Sequence, residues 1–537
     1  MPIGAQFVHT LEEALHLRRI QAGIDLLSSE GHEIEALTPE TPDGGRLLLL
    51  IAQWIDAGFS DYRLLQPLVE RFPADQRRQL NVRDYLSVRM AGAFVDLMRG
   101  ELYRAIEGLE SALRTCQDLE DRGNEALAHF WLGRAHRKKG EYEIALQHIV
   151  RAQELASEND RYFAAVVQIQ KSWLLFQKGL TRDAEQMLNC AESVLSSTDH
   201  YVALANIESA RGRIVRRAGE YSKALEHFAR AVEIYAKRDP NHVNLARSLV
   251  NAAYVRRLVA LQLRKQIDTQ AYSGRNPNTA GNRSWRSREV PLLEYQKIWQ
   301  KAVDDLTKAR EIYWLRAHFD GIGKVSLSLS YLHLDRGDIE QAAGEAEEAY
   351  RIGREQQDQI LMARARILES AIENAHVEEQ TGEGVDVAVH ANRAKQYSEE
   401  AIALAHNTQN LRLLAGAWIA RGTTAANEFY QDWETARQCA SEATALIGPG
   451  ESDHLVEDLT SLKTKIVRAS GINDILRSWS EGIIGNKTFQ QIVEEFAEIV
   501  IPKVWLREHK KISRVAAVLS ISPKKVRRIL RNTGSLR

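Results

Sequence analysis

A phrase built around one glycine recurs along this chain at an almost constant interval. The segments RGELYRAIEGLESAL, KGEYEIALQHIVRAQEL, KGLTRDAEQMLNCAESVL and AGEYSKALEHFARAVEIY place their glycines at positions 100, 140, 179 and 219, with intervals of 40, 39 and 40 residues. A fifth copy, RGDIEQAAGEAEEAYRIG, contains Gly337. A period within roughly 20–50 residues is typical of arrays whose units bury their apolar faces against their neighbours. The chain is therefore predicted to fold as an array of similar units.

Each repeat glycine is followed by alanines five and twelve residues later. Two alanines seven residues apart lie on one face of a helix, about two turns from each other. Because their side chains are so small, a neighbouring helix can approach closely there, and the glycine provides the tight turn before the helix. The eight such pairs, three of them without the glycine, are Ala105/Ala112, Ala145/Ala152, Ala184/Ala191, Ala224/Ala231, Ala302/Ala309, Ala342/Ala349, Ala394/Ala401 and Ala436/Ala443.

Together with Leu132-Gly133 and Gly212 upstream of the turn, and Tyr142 and Tyr221 after it, this pattern resembles the tetratricopeptide (TPR) repeat. The TPR period is roughly 34 residues, so the longer period here predicts helices about one turn longer, as in the extended TPR arrays of some bacterial regulators. The resemblance implies an all-α fold, a TPR-like right-handed superhelical solenoid of about eight helix pairs.

Breaks in the repeat divide the chain into four segments. We expect an N-terminal helical cap over 1–75, the solenoid over 76–450, a helical linker over 451–485 and a separate domain over 486–537. Within the solenoid, residues 268–291 are rich in Gly, Asn, Ser and Arg, which predicts a flexible loop inside a repeat. This insert either touches nucleic acid or is a solvated loop, and its four arginines are Arg275, Arg283, Arg286 and Arg288.

The net charge of −1 hides an asymmetry. Residues 503–537 contain eleven Lys or Arg and one acid, Glu508, giving +10, so the remainder of the chain sums to −11. A basic end on an acidic body is typical of nucleic-acid-binding tails.

The tail reads as three helical segments. A long amphipathic helix is predicted from Lys487 to about Glu508, and Ser513 is predicted to cap a short helix that ends near Leu519. Ser520-Ile521 forms the turn, and Ser522 caps a last helix with Pro523 at its first position. The apolar residues of that helix, expected to face inward, are Val526, Ile529 and Leu530.

Two helices joined by a short turn, the second with a basic face, follow the helix-turn-helix plan, in which the second helix enters the major groove of DNA. The segment resembles the Fis-type DNA-binding domain, although Ser520 replaces its turn glycine and Val515 its first alanine. The matching residues are Ser513, Arg514, Ala516, Leu519, Ile521, Ser522, Leu530 and Gly534. We predict DNA contacts from Ser513, Arg514, Ser522, Lys524, Lys525, Arg527, Arg528 and Arg531.

The same resemblance implies a homodimer formed through residues 489–505. Packing of this helix on the last solenoid helices is the alternative.

The solenoid is predicted to bind its partner on a concave face lined by the first helix of each repeat. Counting back from the repeat glycines brings basic residues to equivalent positions, which predicts a basic stripe suited to an acidic peptide, a terminal carboxylate or a phosphate-bearing ligand. A solvated helical face is the alternative. The residues of the stripe are Arg134, Arg137, Lys138, Arg213, Arg216, Arg217, Arg256 and Arg257.

Other motifs point away from catalysis. The chain contains no HExxH, GxSxG or phosphate-binding loop, and its three cysteines are too scattered for a disulfide framework or a zinc site. We expect no enzymatic activity and no cofactor or metal. No signal peptide or membrane span is visible, which predicts a soluble cytoplasmic protein. The tryptophans of the repeat helices, predicted to be core residues, are Trp131, Trp173, Trp314 and Trp418.

These patterns predict a DNA-binding regulator, in which a solenoid binds a protein or peptide and a helix-turn-helix binds DNA. The alternative is an interaction scaffold whose basic tail has no sequence-specific DNA recognition.

Overall fold

The computed structural model describes residues 5–29, 31–35, 37–58, 62–273, 286–380, 387–448, 451–469, 479, 487–533 and 536. It contains two compact units, Met1–Leu459 and Thr460–Arg537. In the described residues every regular element is a helix, and none of these helices is long and apolar enough to cross a membrane.

The first unit begins with short helices ahead of the repeats. The apolar run from Leu47 to Ile55 lies in α4 and is buried almost throughout, and α4 packs on the first repeat helix, α7. The short helices therefore lie against the first repeat of the array. The helices are α1 (Ala5–His16), α2 (Ile20–Ser29), α3 (Gly31–Glu35), α4 (Gly44–Ala57), α5 (Leu65–Glu70) and α6 (Ala74–Arg77).

Eight helix pairs follow, in agreement with the predicted number. They are α7 (Val82–Arg99) with α8 (Leu102–Asp118), α9 (Arg122–Lys139) with α10 (Tyr142–Asn159), α11 (Arg161–Gln177) with α12 (Thr181–Leu195), α13 (Tyr201–Arg217) with α14 (Tyr221–Arg238), α15 (Val243–Ser273) with α16 (Arg286–Leu315), α17 (Phe319–Arg336) with α18 (Ile339–Glu355), α19 (Gln359–Gln380) with α20 (Ala388–His406), and α21 (Leu411–Ala425) with α22 (Trp433–Leu446).

The repeat glycines and alanines have the roles that their spacing predicts. All five glycines join the two helices of a pair and have positive φ angles between 78° and 89°. All sixteen paired alanines have no exposed surface. Each helix packs on the next, and from α11 to α21 the first helices of successive pairs also touch each other. The TPR-like solenoid is therefore built from these close contacts.

The insert differs from its prediction as a loop over 268–291. Helix α15 continues to Ser273 and α16 begins at Arg286, so both helices extend into the predicted loop. Once a helix is nucleated, each further residue adds a hydrogen bond, which extends helices beyond the point where composition predicts a loop. Arg275 and Arg283 lie outside the described residues.

The tryptophans are not all core residues. Trp131 is fully buried, as predicted, whereas 62% of Trp314 is exposed. The preceding residue, Tyr313, takes the inward position and stacks on His318 with ring centroids 5.1 Å apart. Because neighbouring residues differ by about 100° around a helix, Trp314 points away from that contact.

Repeats far apart in sequence also touch, at places that we call the inter-turn contacts. The Gln409 N–H donates a hydrogen bond to the Gly140 carbonyl at 2.8 Å, and the Glu143 N–H donates to Gln409 Oε1 at 2.7 Å. Farther along, Ser452 Oγ donates to the Ala218 carbonyl at 2.9 Å. The early repeats of the solenoid are therefore bonded to its late repeats.

The chain continues with α23 (His454–Ala469), and most of the predicted linker after it, at 470–478 and 480–486, lies outside the described residues. Three helices follow, α24 (Phe489–Arg507), α25 (Ile512–Val518) and α26 (Pro523–Asn532). A capping box formed by Thr488 and Gln491 begins α24.

Candidate functional site

The three terminal helices share one small apolar core. Val526, Ile529 and Leu530 of α26 are fully buried, as the sequence predicts. They pack with Val515 and Ala516 of α25 and with residues of α24. This core fixes which face of α26 is left to solvent.

The turn between α25 and α26 has the geometry of a Schellman motif. The Ile521 N–H donates to the Ala516 carbonyl at 3.0 Å, and the Ser520 N–H donates to the Ala517 carbonyl at 3.3 Å. Ser520 has a φ of 50°, in the left-handed region that favours glycine. Ser520, at the position where the Fis-type pattern has glycine, therefore adopts a backbone conformation that favours glycine.

One predicted cap is confirmed and the other is wrong. Ser522 Oγ accepts a hydrogen bond from the Lys525 N–H at 3.2 Å, with Pro523 at the first helical position. The N-cap of α25 is Lys511 rather than Ser513, which lies inside the helix. His509 and Lys510 have left-handed φ angles of 54° and 61°, so the chain turns earlier than expected and the helix begins at Ile512.

The outer face of α26 is basic. Lys524, Arg527 and Arg531 are exposed, and Lys525 is half-buried. None of these four side chains forms an ion pair with a described residue, whereas Arg528 pairs with Glu494 of α24. Ser513 and Arg514, near the start of α25, are also exposed. The structure therefore leaves a row of cations free to meet a polyanion, with Arg528 tied to the unit itself.

Helix α24 exposes an apolar stripe within the range predicted for dimerisation. Phe489, Val493 and Phe496 are 82%, 39% and 49% exposed. Their spacing of four and three residues places them on one face of the helix.

The first unit contains a cavity of about 1170 Å³ on the inner side of the solenoid. Its walls are formed by the first helices α7, α9, α11, α13 and α15, with contributions from α1 and α4 of the N-terminal cap. Of the predicted stripe, Arg134, Arg137 and Lys138 line this cavity.

The predicted stripe is interrupted, because four of its residues are engaged within the chain. Arg134 pairs with Asp56, and Arg256 pairs with Asp305. Arg217 donates to the Phe176 carbonyl at 2.6 Å, and Arg257 binds both carboxylate oxygens of Asp335 at 2.5 and 2.8 Å. Arg217 and Arg257 are buried, since each lies one residue further around its helix than Arg216 or Arg256. These four side chains stabilise the solenoid, and we exclude them from the ligand-binding surface.

The other four cations have fewer compensating contacts. The guanidinium of Arg137 lies over the Trp173 ring at 4.9 Å, that of Arg216 lies over the Tyr254 ring at 5.0 Å, and Lys138 Nζ donates to the Leu97 carbonyl at 2.9 Å. Burial and then the neighbouring guanidinium of Arg134 lower the pKa of Arg137 to about 9. Burial and then Arg247 do the same to the pKa of Arg213, also to about 9.

Three cavity residues were missed by the sequence analysis. They are Arg247 on α15, Arg18 after α1 and His200 before α13. The residue one period before Arg247 is Ile207, so Arg247 does not stand at one of the equivalent positions from which the stripe was predicted. Arg18 lies outside the repeat, where only the fold brings it to the cavity.

Several polar atoms of the cavity wall have no hydrogen-bond partner among the described residues. These atoms are Arg18 Nε, Arg137 Nε and His200 Nδ1, and all three are buried. On another part of the wall, Phe163, Val166 and Ile169 of α11 form an apolar strip. A cavity with an apolar strip and a few converging polar groups is typical of ligand sites.

No protein-family model and no curated protein sequence matches the chain. Among solved structures, a Rap protein complexed with competence and sporulation factor is 12% identical, covers 74% of this chain and 99% of its own, and has a TM-score of 0.50. The apo form of the quorum sensor NprR from B. thuringiensis is 13% identical, with coverage of 74% and 97% and a TM-score of 0.47. The likeness to the Rap protein shows the fold, a TPR-like helical solenoid.

Proposed function

We propose that this chain is a DNA-binding regulator whose solenoid binds a protein or peptide partner and whose terminal helix-turn-helix binds DNA. The observation that carries the proposal is the two-sided character of α26. One face buries Val526, Ile529 and Leu530, and the other presents cations without ion pairs to described residues. We place its action in the cytoplasm and assign it no enzymatic activity.

The DNA-binding role is supported by where the cations stand on the helix. Ser522, Lys524 and Lys525 lie at the N-terminal end of α26, the end that contacts base edges in helix-turn-helix proteins. Arg527 and Arg531 continue the row, and Lys or Arg near phosphates supply the main electrostatic attraction to DNA. We expect Ser513 and Arg514 on α25 to contact the DNA backbone. The exposed stripe on α24 would then join two chains, so that two recognition helices bind two half-sites.

The partner-binding role is supported by the cavity. Its volume of about 1170 Å³ is slightly larger than the roughly 300–1000 Å³ of typical ligand cavities, which leaves room for a peptide. The Rap protein of similar fold was crystallised with a bound factor. We transfer to this chain only the general role of a solenoid that receives another molecule.

Selection of DNA from a random pool by the full-length protein tests the proposal. A sequence-specific regulator should enrich one sequence family and keep its preference as salt rises, because base contacts depend less on salt than phosphate contacts do. The triple variant K524Q/K525Q/R527Q should lose this enrichment. The matched control is Arg114→Gln, an exposed arginine of α8 without an ion pair to a described residue.

The alternative function, an interaction scaffold with a non-specific basic tail, gives a different result. Binding would then show no enriched sequence, would disappear as salt rises, and would weaken with the triple variant equally on every DNA. That outcome would leave the solenoid as the functional part of the molecule.

A further inference from the structure

We propose that Arg137, Arg213 and Arg247 form a binding site for a peptide carboxylate inside the solenoid. This inference deepens the proposed function, since it rests on a peptide as the partner and names the group by which the peptide is held.

The three arginines differ from those inner arginines of the solenoid that pair with an acid. Their side chains form no hydrogen bond and no ion pair with any described residue. By contrast, Arg256 and Arg257 each have a carboxylate partner. The chain thus compensates its structural arginines, whereas this group, drawn from α9, α13 and α15, forms no ion pair with a described residue.

The three side chains lie close enough to repel one another. Arg137 and Arg247 line the cavity, whereas Arg213 is not among the described residues of its wall but repels both of them. The pKa of Arg137 is lowered by burial, Arg134 and Arg247, and that of Arg213 by burial, Arg247, Arg216 and Arg137. Cations held together in this way without an acid are destabilising. An anion placed among them would reverse that effect.

Asp320, the acid that attracts Arg137, does not neutralise the group. Asp320 attracts Arg137 weakly, but its carboxylate already binds Lys324 Nζ at 2.6 Å. Lys138 adds a further cation to the same region, with its Nζ bound only to a backbone carbonyl. Acids elsewhere on the cavity wall pair with other cations, as Asp56 does with Arg134 and Glu12 does with Arg46. The surroundings of these arginines therefore favour a ligand with negative charge.

Arg137 is prepared for such a ligand. The Trp173 ring supports its guanidinium at 4.9 Å, and its Nε is buried without a partner among the described residues. A guanidinium offers two parallel N–H donors that match the two oxygens of a carboxylate. Holding that plane in advance lowers the entropy lost on binding.

The rest of the cavity fits a peptide better than a lone ion. Gln53 and Gln170 line it without a hydrogen bond to a described residue, and a side-chain amide can pair with both the N–H and the C=O of a peptide backbone. The apolar strip of Phe163, Val166 and Ile169 offers contacts for apolar side chains. The cavity is also far larger than one anion requires.

Capture of hexapeptide pools on immobilised full-length protein, read by mass spectrometry, tests the site. One pool ends in a free carboxylate and has no acidic residue, a second is its C-terminal amide, and a third is the amide with one glutamate. We expect one or both carboxylate pools to be retained about tenfold better than the neutral pool, which corresponds to ~1.4 kcal/mol. The carboxylate pool that is retained identifies the source of the group, terminus or side chain.

The variant R137Q/R247Q should remove the preference for the carboxylate pools. The variant Arg213→Gln, on α13, should weaken that preference, and the control Arg114→Gln should keep it. Equal retention of all pools would overturn the carboxylate site but leave a peptide-binding solenoid. Retention of no pool would overturn a peptide as the partner of the solenoid, and the carboxylate site with it. A preference that survives in R137Q/R247Q, or that excess inorganic phosphate abolishes, would also overturn the assignment.

Discussion

At the scale of single residues, the inner arginines separate into two kinds. Arg257 is 6% exposed and binds Asp335 through two hydrogen bonds, so it belongs to the folded structure. Arg213 has the same charge on a neighbouring first helix, and among the described residues it has no such partner. The sequence analysis placed Arg213 and Arg257 in one basic stripe. The repeat register predicts the helix face on which an arginine lies, but it does not predict whether an acid lies opposite that arginine.

We therefore expect opposite effects of two matched substitutions. Arg257→Gln leaves the carboxylate of Asp335, which is 13% exposed, without its partner, and breaking a buried ion pair costs roughly 3–5 kcal/mol. Arg213→Gln removes an uncompensated charge and should leave the free energy of unfolding unchanged or slightly raised. Urea unfolding of both variants checks this, and a large loss with Arg213→Gln would show that Arg213 is structural.

A buried histidine makes stability depend on pH. Burial and then the Arg18 guanidinium lower the pKa of His200 to about 3 in the folded protein, below the 6.5 of a free histidine. Below about pH 6.5 the unfolded chain takes up the proton and the folded one does not, so stability falls as pH decreases toward 3. Between pH 7 and pH 5 this one residue should reduce the free energy of unfolding by about 2 kcal/mol.

The measurement is the unfolding free energy of wild type and His200→Gln at both pH values. The variant should lose less stability than wild type on acidification. Equal losses in the two proteins would mean that His200 is protonated in the folded state.

At the scale of elements, the repeat turns depend on residues without a side chain. Gly140 and Gly179 both have positive φ angles, 85° and 80°. A Cβ on Gly179 would meet nothing within 4 Å, whereas one on Gly140 would approach Thr408 Cβ to 2.9 Å. The two turns therefore differ only in their surroundings.

Gly179→Ala should cost about 1–2 kcal/mol, the strain of a left-handed alanine. Gly140→Ala should cost more, since it also displaces Thr408 and the adjacent Gln409–Gly140 hydrogen bond. Thermal unfolding of the two variants checks this order, and equal destabilisation would contradict a role of Gly140 in the inter-turn contacts.

At the turn before α26, a substitution to glycine should stabilise the protein, in contrast to the two substitutions of glycine by alanine. Ser520→Gly removes the strain of a left-handed serine and should stabilise the terminal unit by about 1 kcal/mol. Hydrogen exchange on the full chain should then show several-fold slower exchange of the α25 and α26 amides. Ser520→Val is the control and should accelerate exchange, because a β-branched residue disfavours this conformation.

Much of the element scale could be predicted from the sequence. The spacing of glycines and alanines specified eight helix pairs, because in an array each unit is set by local turns and by contact with the next unit. The start of α25 and the ends of the insert were mispredicted, since left-handed turns at His509 and Lys510 and the extension of α15 and α16 have no clear signal in composition. The cavity could not be predicted from the repeat pattern, because Arg18, Asp56 and Arg247 come to line one cavity only when the unit is folded.

At the scale of the whole molecule, the chain divides into a solenoid unit and a terminal three-helix unit. The proposed ligand site lies in the first and the proposed DNA site in the second. The residues of each proposed site lie within one unit. A substitution in one site should therefore leave binding at the other site unchanged.

The inter-turn contacts have a consequence for how this protein can evolve. An open array tolerates the gain or loss of a unit, since only the two flanking neighbours must adjust. Here Gly140 meets Gln409, and Ala218 meets Ser452, across more than half of the array. Deleting one internal repeat would move those partners too far apart to bond. The inter-turn contacts therefore fix the number of repeats between them.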